Sequence, residues 1–249
     1  SPDHIRGNSI QFKRGTVHLW AFLAALDGPI GKKSRTATKV PNWIMEGSLK
    51  VKKEFLAAYF GSECEAPKIR KESERCPATL HCPFSKLEDL REEGIAFYNQ
   101  INDLLGQFVV TSGLYIRNGV ICKDGKKTLQ FIINIDGGRK NIINFSKNIG
   151  FRYSVDREKN RRIVQAYLEM IEHLVEKREK VFNTVVSSDK VDIWKLSRET
   201  GIKAGTLRTW KRLRSLQYIK APVRSLTFGE WLKDATEGLE DGLVWETVD

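Results

Sequence analysis

Two acidic residues end two similar stretches of the chain. Leu19–Gly28 reads L-W-A-F-L-A-A-L-D-G and Val51–Cys64 reads V-K-K-E-F-L-A-A-Y-F-G-S-E-C, so Asp27 and Glu63 each follow a run of alanines and bulky apolar residues. This spacing predicts two helices, each with a side of small residues that lets another backbone approach closely. Carboxylates at the end of such a packed helix pair can bind a metal ion.

The charge of the chain is uneven. The 249 residues carry a formal net charge of +11, and 41% of them are hydrophobic, which suits one large or two small globular domains. Lys195–Arg224 holds nine Lys or Arg and one Glu, whereas Glu230–Asp249 holds seven acids and one Lys. A basic block of this kind indicates a polyanionic partner, most simply nucleic acid, and a solvated basic surface is an equally weighted alternative.

Other classes of protein are disfavoured by the composition. No run of about 18 apolar residues suggests a membrane span. The four cysteines, Cys64, Cys76, Cys82 and Cys122, are irregularly spaced, unlike a secreted disulfide framework. The spacing of Cys76, His81 and Cys82 matches no standard zinc motif, so reduced thiols are expected and zinc is not. We therefore expect a soluble, intracellular monomer, cytoplasmic or nuclear.

The first quarter of the chain is predicted to be a polar arm (residues 1–15) followed by the two small-faced helices. The arm has a possible strand around Ile10 and Phe12. Thr16 can cap the first helix, which ends at Gly28-Pro29, and Ser48 can cap the second, which runs to about Ser62. Between the helices we expect a basic loop (28–40), a possible short strand (35–40) and an apolar turn (41–44).

The remainder reads as a mixed α/β region followed by helices. Residues 66–83 are predicted to be irregular, and Ser85 with Glu88 forms a potential capping box for a long helix that ends near Phe108. Residues 109–117 and 129–136 are predicted strands, since apolar and polar residues alternate in the second. A short helix (139–149) and a long one (156–182) follow. The predicted fold class is therefore α/β in the broad sense, of α+β type.

Several segments of the chain resemble motifs of a known protein family. Trp20–Gly28 and Leu56–Cys64 resemble the two motifs of LAGLIDADG homing endonucleases. The phrase Pro41-Asn42-Trp43-Ile44 is similar to the segment that precedes the second motif in archaeal and intein members. Ile149-Gly150-Phe151, followed by Lys159, is similar to a later segment of the family. The resemblance covers about residues 16–182.

The resemblance implies a fold, a cofactor and a partner. In that family αββαββα units pack through the two motif helices, and their sheets saddle the major groove of double-stranded DNA. Asp27 and Glu63 would match the acids that bind Mg²⁺ or Mn²⁺, and Lys159 would match a basic residue near the cleavage site. Paired carboxylates holding metal can activate water and stabilise the leaving oxygen of a phosphodiester. The basic loop residues Lys32, Lys33, Arg35 and Lys39 would hold DNA.

Three departures from the family pattern favour a DNA-binding protein that does not cleave DNA. The second acid is Glu, the closing residue is Cys64 instead of Gly, and only 35 residues separate Asp27 from Glu63. Four strands and two helices do not fit in that gap, so the first half is expected to be truncated. A tightly packed helix pair with no metal remains open as an interpretation of the motifs, and a solvated helix-start lysine remains open for Lys159.

A second module follows a predicted linker at Ser187-Ser188-Asp189. Val191–Arg214 has apolar residues where a helix-turn-helix needs its core, and Gly201 lies at the turn. This module (residues 183–224) precedes an acidic tail (225–249). Its second helix would present groups that read base edges and contact phosphates: Lys203, Thr206, Arg208, Thr209, Lys211 and Arg212. A helical hairpin that only packs on its neighbour is the alternative.

The two ends of the chain add one resemblance. Ser1-Pro2-Asp3-His4 is similar to a block of intein splicing domains, and Val244–Val248 is similar to the strand where such a domain resumes. The sequence thus supports two hypotheses: a metal-dependent, site-specific DNA endonuclease inserted in an intein or intron, or a non-catalytic DNA-binding protein on the same scaffold.

Overall fold

The computed structural model describes residues 4–6, 9–11, 21–22, 24–28, 30–188, 190–215 and 225–237. The five strands are β1 (His4–Arg6), β2 (Ser9–Gln11), β3 (Leu80–Leu87), β4 (Ser112–Ile121) and β5 (Lys127–Ile135). The helices are α1 (Asn42–Met45), α2 (Leu49–Glu63), α3 (Arg91–Gly106), α4 (Arg139–Asn148), α5 (Val155–Ser187), α6 (Ile193–Thr200), α7 (Ala204–Leu213) and α8 (Phe228–Ala235). The predicted α+β class is confirmed.

The chain forms two units. The first contains Ser1–Cys64 and His81–Asn134, and the second contains Glu65–Leu80 and Ile135–Asp249. None of the helices in the described ranges is long and apolar enough to cross a membrane. Thr16 and Val244–Val248 lie outside the described residues, so their predicted roles have no structural counterpart here.

The first unit is built on a three-stranded antiparallel sheet with the order β3-β5-β4. The predicted alternation in β5 is confirmed, since Phe131, Ile133 and Ile135 are fully buried while Gln130 and Asn134 are only half-buried. Helix α3 packs on the buried face. Gly94 makes this close approach possible, because a Cβ there would lie 2.5 Å from a ring carbon of Phe131.

Helix α2, which carries the second motif, begins where the sequence indicates. The Ser48 side chain accepts a hydrogen bond from the Val51 amide, which is the predicted cap. The helix ends at Glu63, one residue beyond the predicted end. Leu56, Ala57, Phe60 and Gly61 form its buried side. The first motif helix is described only in part: residues 21–22 and 24–25 are helical, and residues 26–27 form a turn.

Strand β3 was not predicted. Ser85 lies within this strand and does not cap a helix, and a 3-10 turn (Glu88–Leu90) separates β3 from α3. Pro83 in the middle of the segment argues against a strand, because proline cannot donate to a ladder. The burial pattern of β3 is also irregular. Neighbouring strand β5 therefore decides the structure of this segment, and local preference does not.

Several other predicted elements differ from the structure. The possible strand at 35–40 is wrong, because these residues form a turn and an irregular segment, and the predicted turn at 41–44 contains helix α1. Residues 66–79 contribute only an isolated bridge between Ile69 and Pro77. From α2 to α4, the described elements therefore follow the order αβαββα, with one strand fewer than the αββαββα unit that the family resemblance implies.

Lys86 fixes the basic loop in the first unit. This residue is 2% exposed, and its ammonium donates to the carbonyl oxygens of Lys33 and Thr36, each at 2.7 Å, and to the Thr38 hydroxyl. The adjacent Leu87 amide donates to the Ser34 carbonyl at 2.8 Å. Burial lowers the pKa of Lys86. The loop is thereby attached to the end of β3.

The second unit is organised around α5, a helix of 33 residues that continues to Ser187, beyond the predicted end at Phe182. Its N-terminal half packs on α4, where buried Glu172 pairs with Arg139 at 3.0 Å and with Lys140 at 3.2 Å. The pairing raises the pKa of Lys140. Helix α4 ends at Asn148, and Gly150, the predicted stop, follows in the left-handed conformation with φ of 70°.

Helix α8 also packs on α5. The Tyr167 hydroxyl donates to the Leu226 carbonyl at 2.9 Å, and its ring contacts those of Phe228 and Trp231. Arg75 donates to the Ser225 carbonyl at 3.0 Å. The described part of the predicted acidic tail is thus a packed helix, and the chain returns to α5 after the helix-turn-helix module.

We predict that Gly94→Ala lowers the free energy of unfolding by about 1–2 kcal/mol, because the strain of the new contact with fully buried Phe131 exceeds the gain in helix propensity. Denaturant unfolding measures the difference. Gly106→Ala in the same helix is the control, since no atom lies within 4 Å of its added Cβ. Equal stability of the two variants would contradict the predicted close approach.

We also predict that Lys86→Met destabilises the protein by about 1–3 kcal/mol, because three acceptors lose their buried donor. Hydrogen exchange of residues 33–38 should become faster than in the parent protein. Lys123→Met, which changes an exposed lysine, is the control. Unchanged exchange in the loop would show that other contacts hold it.

Candidate functional site

Asp27 lies in the turn that follows the first motif helix. Its φ is 58°, in the left-handed region where a helix commonly ends. The preceding Leu26 carbonyl accepts a hydrogen bond from the Trp43 indole at 2.9 Å, which ties this turn to α1. The Asp27 carboxylate is about half exposed and lies 3.9 Å from the ammonium of Lys39.

Glu63 is the last residue of α2, and its side chain is 34% exposed. The Lys33 ammonium donates to its carboxylate at 2.8 Å. Both predicted metal ligands therefore have an ion-pair partner from the same basic loop, the loop that Lys86 holds. Lys33 and Lys39 were predicted to contact DNA, and the structure brings them to the acids.

The acids fit a divalent metal in the type of donor they offer. Mg²⁺ is commonly bound by one or two carboxylates, with phosphate oxygens and water completing the shell. Within the described residues, no group of three or more His, Cys, Asp or Glu side chains is placed to hold a metal ion. Because the partner lysines are mostly exposed, their ion pairs are weak and exchangeable.

The other predicted loop residues have different surroundings. Arg35 donates to Asp124 at 2.7 Å, which raises the pKa of the Arg35 guanidinium and lowers that of the Asp124 carboxyl. Lys32 is exposed, and its carbonyl accepts from the Arg35 amide in a turn. The loop therefore presents Lys32 to solvent and uses its other cations in pairs with acids.

Lys159 belongs to a different unit from the two acids. It is exposed in the first turns of α5, in the second unit, whereas Asp27 and Glu63 belong to the first. Its neighbour Glu158 pairs with Arg161 at 2.6 Å and with Arg162 at 3.2 Å. The surroundings of Lys159 are those of a solvated lysine at a helix start. Lys33, at 2.8 Å from Glu63, is a lysine that the structure does bring to one of the acids.

Two short helices joined by a turn, α6 and α7, lie at the predicted positions of the second module. Asp192 caps α6 by accepting from the Trp194 and Lys195 amides, and Gly201 has φ of 68° at the turn before α7. Leu207 and Trp210 of α7 are buried against Phe182 and Val185 of α5, so the end of α5 is the third helix of the module. Ser187 belongs to this helix, so the segment predicted as a linker begins within it.

The exposed side of α7 carries the predicted DNA-binding residues. Lys203, Arg208 and Arg212 are exposed, whereas Thr206, Thr209 and Lys211 are half-buried. The Arg208 guanidinium lies 4.9 Å from the ring centre of Trp194, which is 62% exposed. Such a cation–π contact orders the guanidinium. The Thr209 hydroxyl donates to the Gly205 carbonyl at 3.0 Å, within the helix.

The sheet of the first unit carries polar pairs that the sequence did not reveal as candidate site residues. Arg117 of β4 donates to Gln130 of β5 at 2.7 Å, and His81 Nδ1 of β3 lies 2.7 Å from Asn134 Oδ1 of β5. Gln130 and Asn134 are on the face opposite buried Phe131. The polar positions of β5 were a usable signal. Arg117 lies in the preceding strand, which was predicted but whose register with β5 was not, and His81 lies in β3, which was not predicted.

A cavity of about 570 Å³ lies in the first unit beside Glu63. The basic loop, α2, β3 and α3 each contribute to its wall, and four aromatic rings line it: Phe55, Tyr59, Phe84 and Phe97. Lys33, Lys39 and Glu63 supply charged groups, and Ser34 and Ser85 supply hydroxyls. The cavity was not predicted, because these residues come from four separate segments.

Comparisons with known proteins give partial matches. No model of a known protein family matches the chain. No solved structure matches it significantly. The chain is 31% identical over 164 residues to the DNA-directed RNA polymerase subunit Rpo1N of Methanocaldococcus jannaschii, a match that covers 66% of this chain and 12% of the relative.

Two other relatives are proteins of different kinds. The chain is 28% identical over 237 residues to the tRNA-splicing ligase RtcB of Pyrococcus furiosus, covering 91% of this chain and 22% of the relative. It is 27% identical over 143 residues to the replication factor C small subunit of M. jannaschii, covering 57% of this chain and 7% of the relative. The chain thus corresponds to between 7% and 22% of these relatives.

Proposed function

We propose that this chain is the nuclease segment of a mobile inserted element, of the LAGLIDADG homing endonuclease type. One observation carries the proposal: a similar segment occurs in an RNA polymerase subunit, a tRNA ligase and a replication factor subunit, always as a minor share of the relative. A segment common to proteins with such different names is not expected to perform the activity of each. An element that inserts into unrelated genes accounts for the pattern.

The relatives' names and the charge of the chain support nucleic acid as its partner. The net charge of +11 supplies the sequence-independent attraction to phosphates. Two surfaces supply groups for base recognition: α7 with Arg208, and the sheet face with Arg117, Gln130 and Asn134. Arginine suits guanine and amides suit adenine in the major groove of double-stranded DNA.

The chemistry of the acids supports phosphodiester hydrolysis. A divalent metal, Mg²⁺ or Mn²⁺, would supply an activated water and charge stabilisation at the leaving oxygen. Asp27 and Glu63 would offer their carboxylates to it, in exchange for their present ion pairs. Lys33 would remain beside Glu63, where an ammonium can contact a phosphate. Asp27, Glu63 and Lys33 are therefore the proposed catalytic group, with Lys33 in the place expected for Lys159.

A second candidate function is DNA binding without cleavage. The same ion pairs favour it, because Lys33 and Lys39 neutralise both acids with no metal. The 35-residue interval between the acids also favours it. That interval contains a loop, the four-residue helix α1 and most of α2, and none of its described residues forms the strands that the family has there.

A cleavage assay separates the two candidates. The substrates are duplex DNAs that carry uninterrupted genes of the three relative types, incubated with Mg²⁺ or Mn²⁺. We expect cutting, and we expect Glu63→Gln to reduce its rate by about 100-fold or more, since it removes a metal-binding charge. Glu65→Gln, at an exposed acid paired with Lys68, should cut at the parental rate. Tight binding without cutting by the parent protein would leave the non-catalytic function.

Binding of DNA by the helix-turn-helix module has its own test. We expect Arg208→Ala to weaken binding by about 1–3 kcal/mol, roughly 5- to 150-fold, and to relax sequence preference at one position. Lys233→Ala removes one positive charge at an exposed position of α8 and is the control. Fluorescence anisotropy at two salt concentrations measures both variants. Equal, small losses would show that α7 does not read bases, and stronger binding to structured RNA would indicate an RNA partner.

A further inference from the structure

The cavity beside Glu63 has the composition of a ligand site. Its volume of about 570 Å³ falls in the range of small-molecule sites, and its interior is mainly aromatic with charged groups nearby. All the residues that line it belong to the first unit. DNA binding by α7 and metal binding by the acids do not account for it.

The aromatic residues form a connected group with incompletely covered rings. Tyr59 and Phe97 meet edge to face at 5.8 Å, as do Phe84 and Phe97 at 5.4 Å, and Phe55 lies 6.3 Å from Tyr59. Phe55, Tyr59 and Phe84 are only half-buried. The Tyr59 hydroxyl is buried and has no hydrogen-bond partner among the described residues. A flat, apolar ring of a ligand would cover these faces.

The polar groups of the cavity favour a phosphorylated ligand. The ammoniums of Lys33 and Lys39 are mostly exposed, so each can contact a phosphate in place of part of its ion pair or hydration. The hydroxyls of Ser34 and Ser85 can donate to or accept from the edge of a base. A flat ring joined to a phosphate by a short polar linker is the chemistry of a nucleotide.

The wall formed by the basic loop is held in place before any ligand arrives. Lys86 bonds three groups between Lys33 and Thr38, and the Leu87 amide bonds the Ser34 carbonyl. A preformed wall lowers the ordering cost of binding. The loop therefore keeps the cavity open beside Glu63.

We propose that this cavity binds a single unstacked nucleotide, with the base against Phe55, Tyr59 and Phe84 and the phosphate beside Lys33. The nucleotide is either extruded from DNA or free in solution. The extruded form rests on the proposed DNA-binding function, and the free form does not. Extrusion of a nucleotide into the cavity would bring a phosphate of the DNA close to Glu63, which lines the cavity.

The first arm of the test compares two duplexes by anisotropy, one fully paired and one with a single mismatch. An unpaired base costs less to extrude, so the parent protein should bind the mismatched duplex about tenfold more tightly. Ser85→Trp fills the cavity from β3 and should abolish this preference. Ala235→Trp, at an exposed position of α8 in the second unit, should retain it. Thermal unfolding checks that both variants fold.

The second arm uses titration calorimetry with deoxycytidine and deoxyadenosine monophosphates. Phe55→Leu is the second variant, for the case that Ser85→Trp does not fold. It keeps an apolar side chain but removes one stacking face. It should weaken nucleotide binding about fivefold or more. A mismatch preference that Ser85→Trp abolishes identifies an extruded nucleotide. Binding of the free monophosphates alone identifies a soluble one. Neither a mismatch preference nor binding at millimolar monophosphate would overturn the proposal, whatever the cleavage assay shows.

Discussion

The buried ammonium of Lys86 constrains the whole candidate site. A charge with 2% exposure is costly unless hydrogen bonds surround it, and the loop from Lys33 to Thr38 supplies those bonds. The loop must therefore close on the end of β3. Once it does, Lys33 meets Glu63, Lys39 approaches Asp27, and the loop becomes one wall of the aromatic cavity. These three features of the first unit share one cause.

The charge arrangement at the acids is compatible with a site that works with metal and keeps its shape without it. Each carboxylate has an ammonium partner, at 2.8 Å for Glu63 and 3.9 Å for Asp27, so its negative charge is partly neutralised without a metal ion. The pairs are exposed and weak, which lets a doubly charged ion compete for the same oxygens.

The two surfaces proposed to contact nucleic acid, α7 and the polar face of the sheet, belong to packed secondary-structure elements. In the second unit, α7 packs through Leu207 and Trp210 on the end of α5, and Arg178 lies 5.0 Å from the Trp210 ring centre. In the first unit, the strands of the sheet carry the Arg117–Gln130 pair. A rigid support reduces the entropy lost on binding.

The sequence by itself determined α2, the bodies of α3, α4 and α5, and the two short helices α6 and α7, because their signals are local. Ser48 and Asp192 cap within three residues, Gly201 provides a left-handed turn, and apolar spacing marks the buried sides. It also indicated Asp27 and Glu63 as the acids of interest. Only the tertiary structure decided strand β3, the lysine partners of the acids, the polar pairs of the sheet and the cavity. Except for the Arg117–Gln130 pair, which joins the consecutive strands β4 and β5, each of these joins segments far apart in the chain. Their contacts depend on burial and strand pairing that no local pattern encodes.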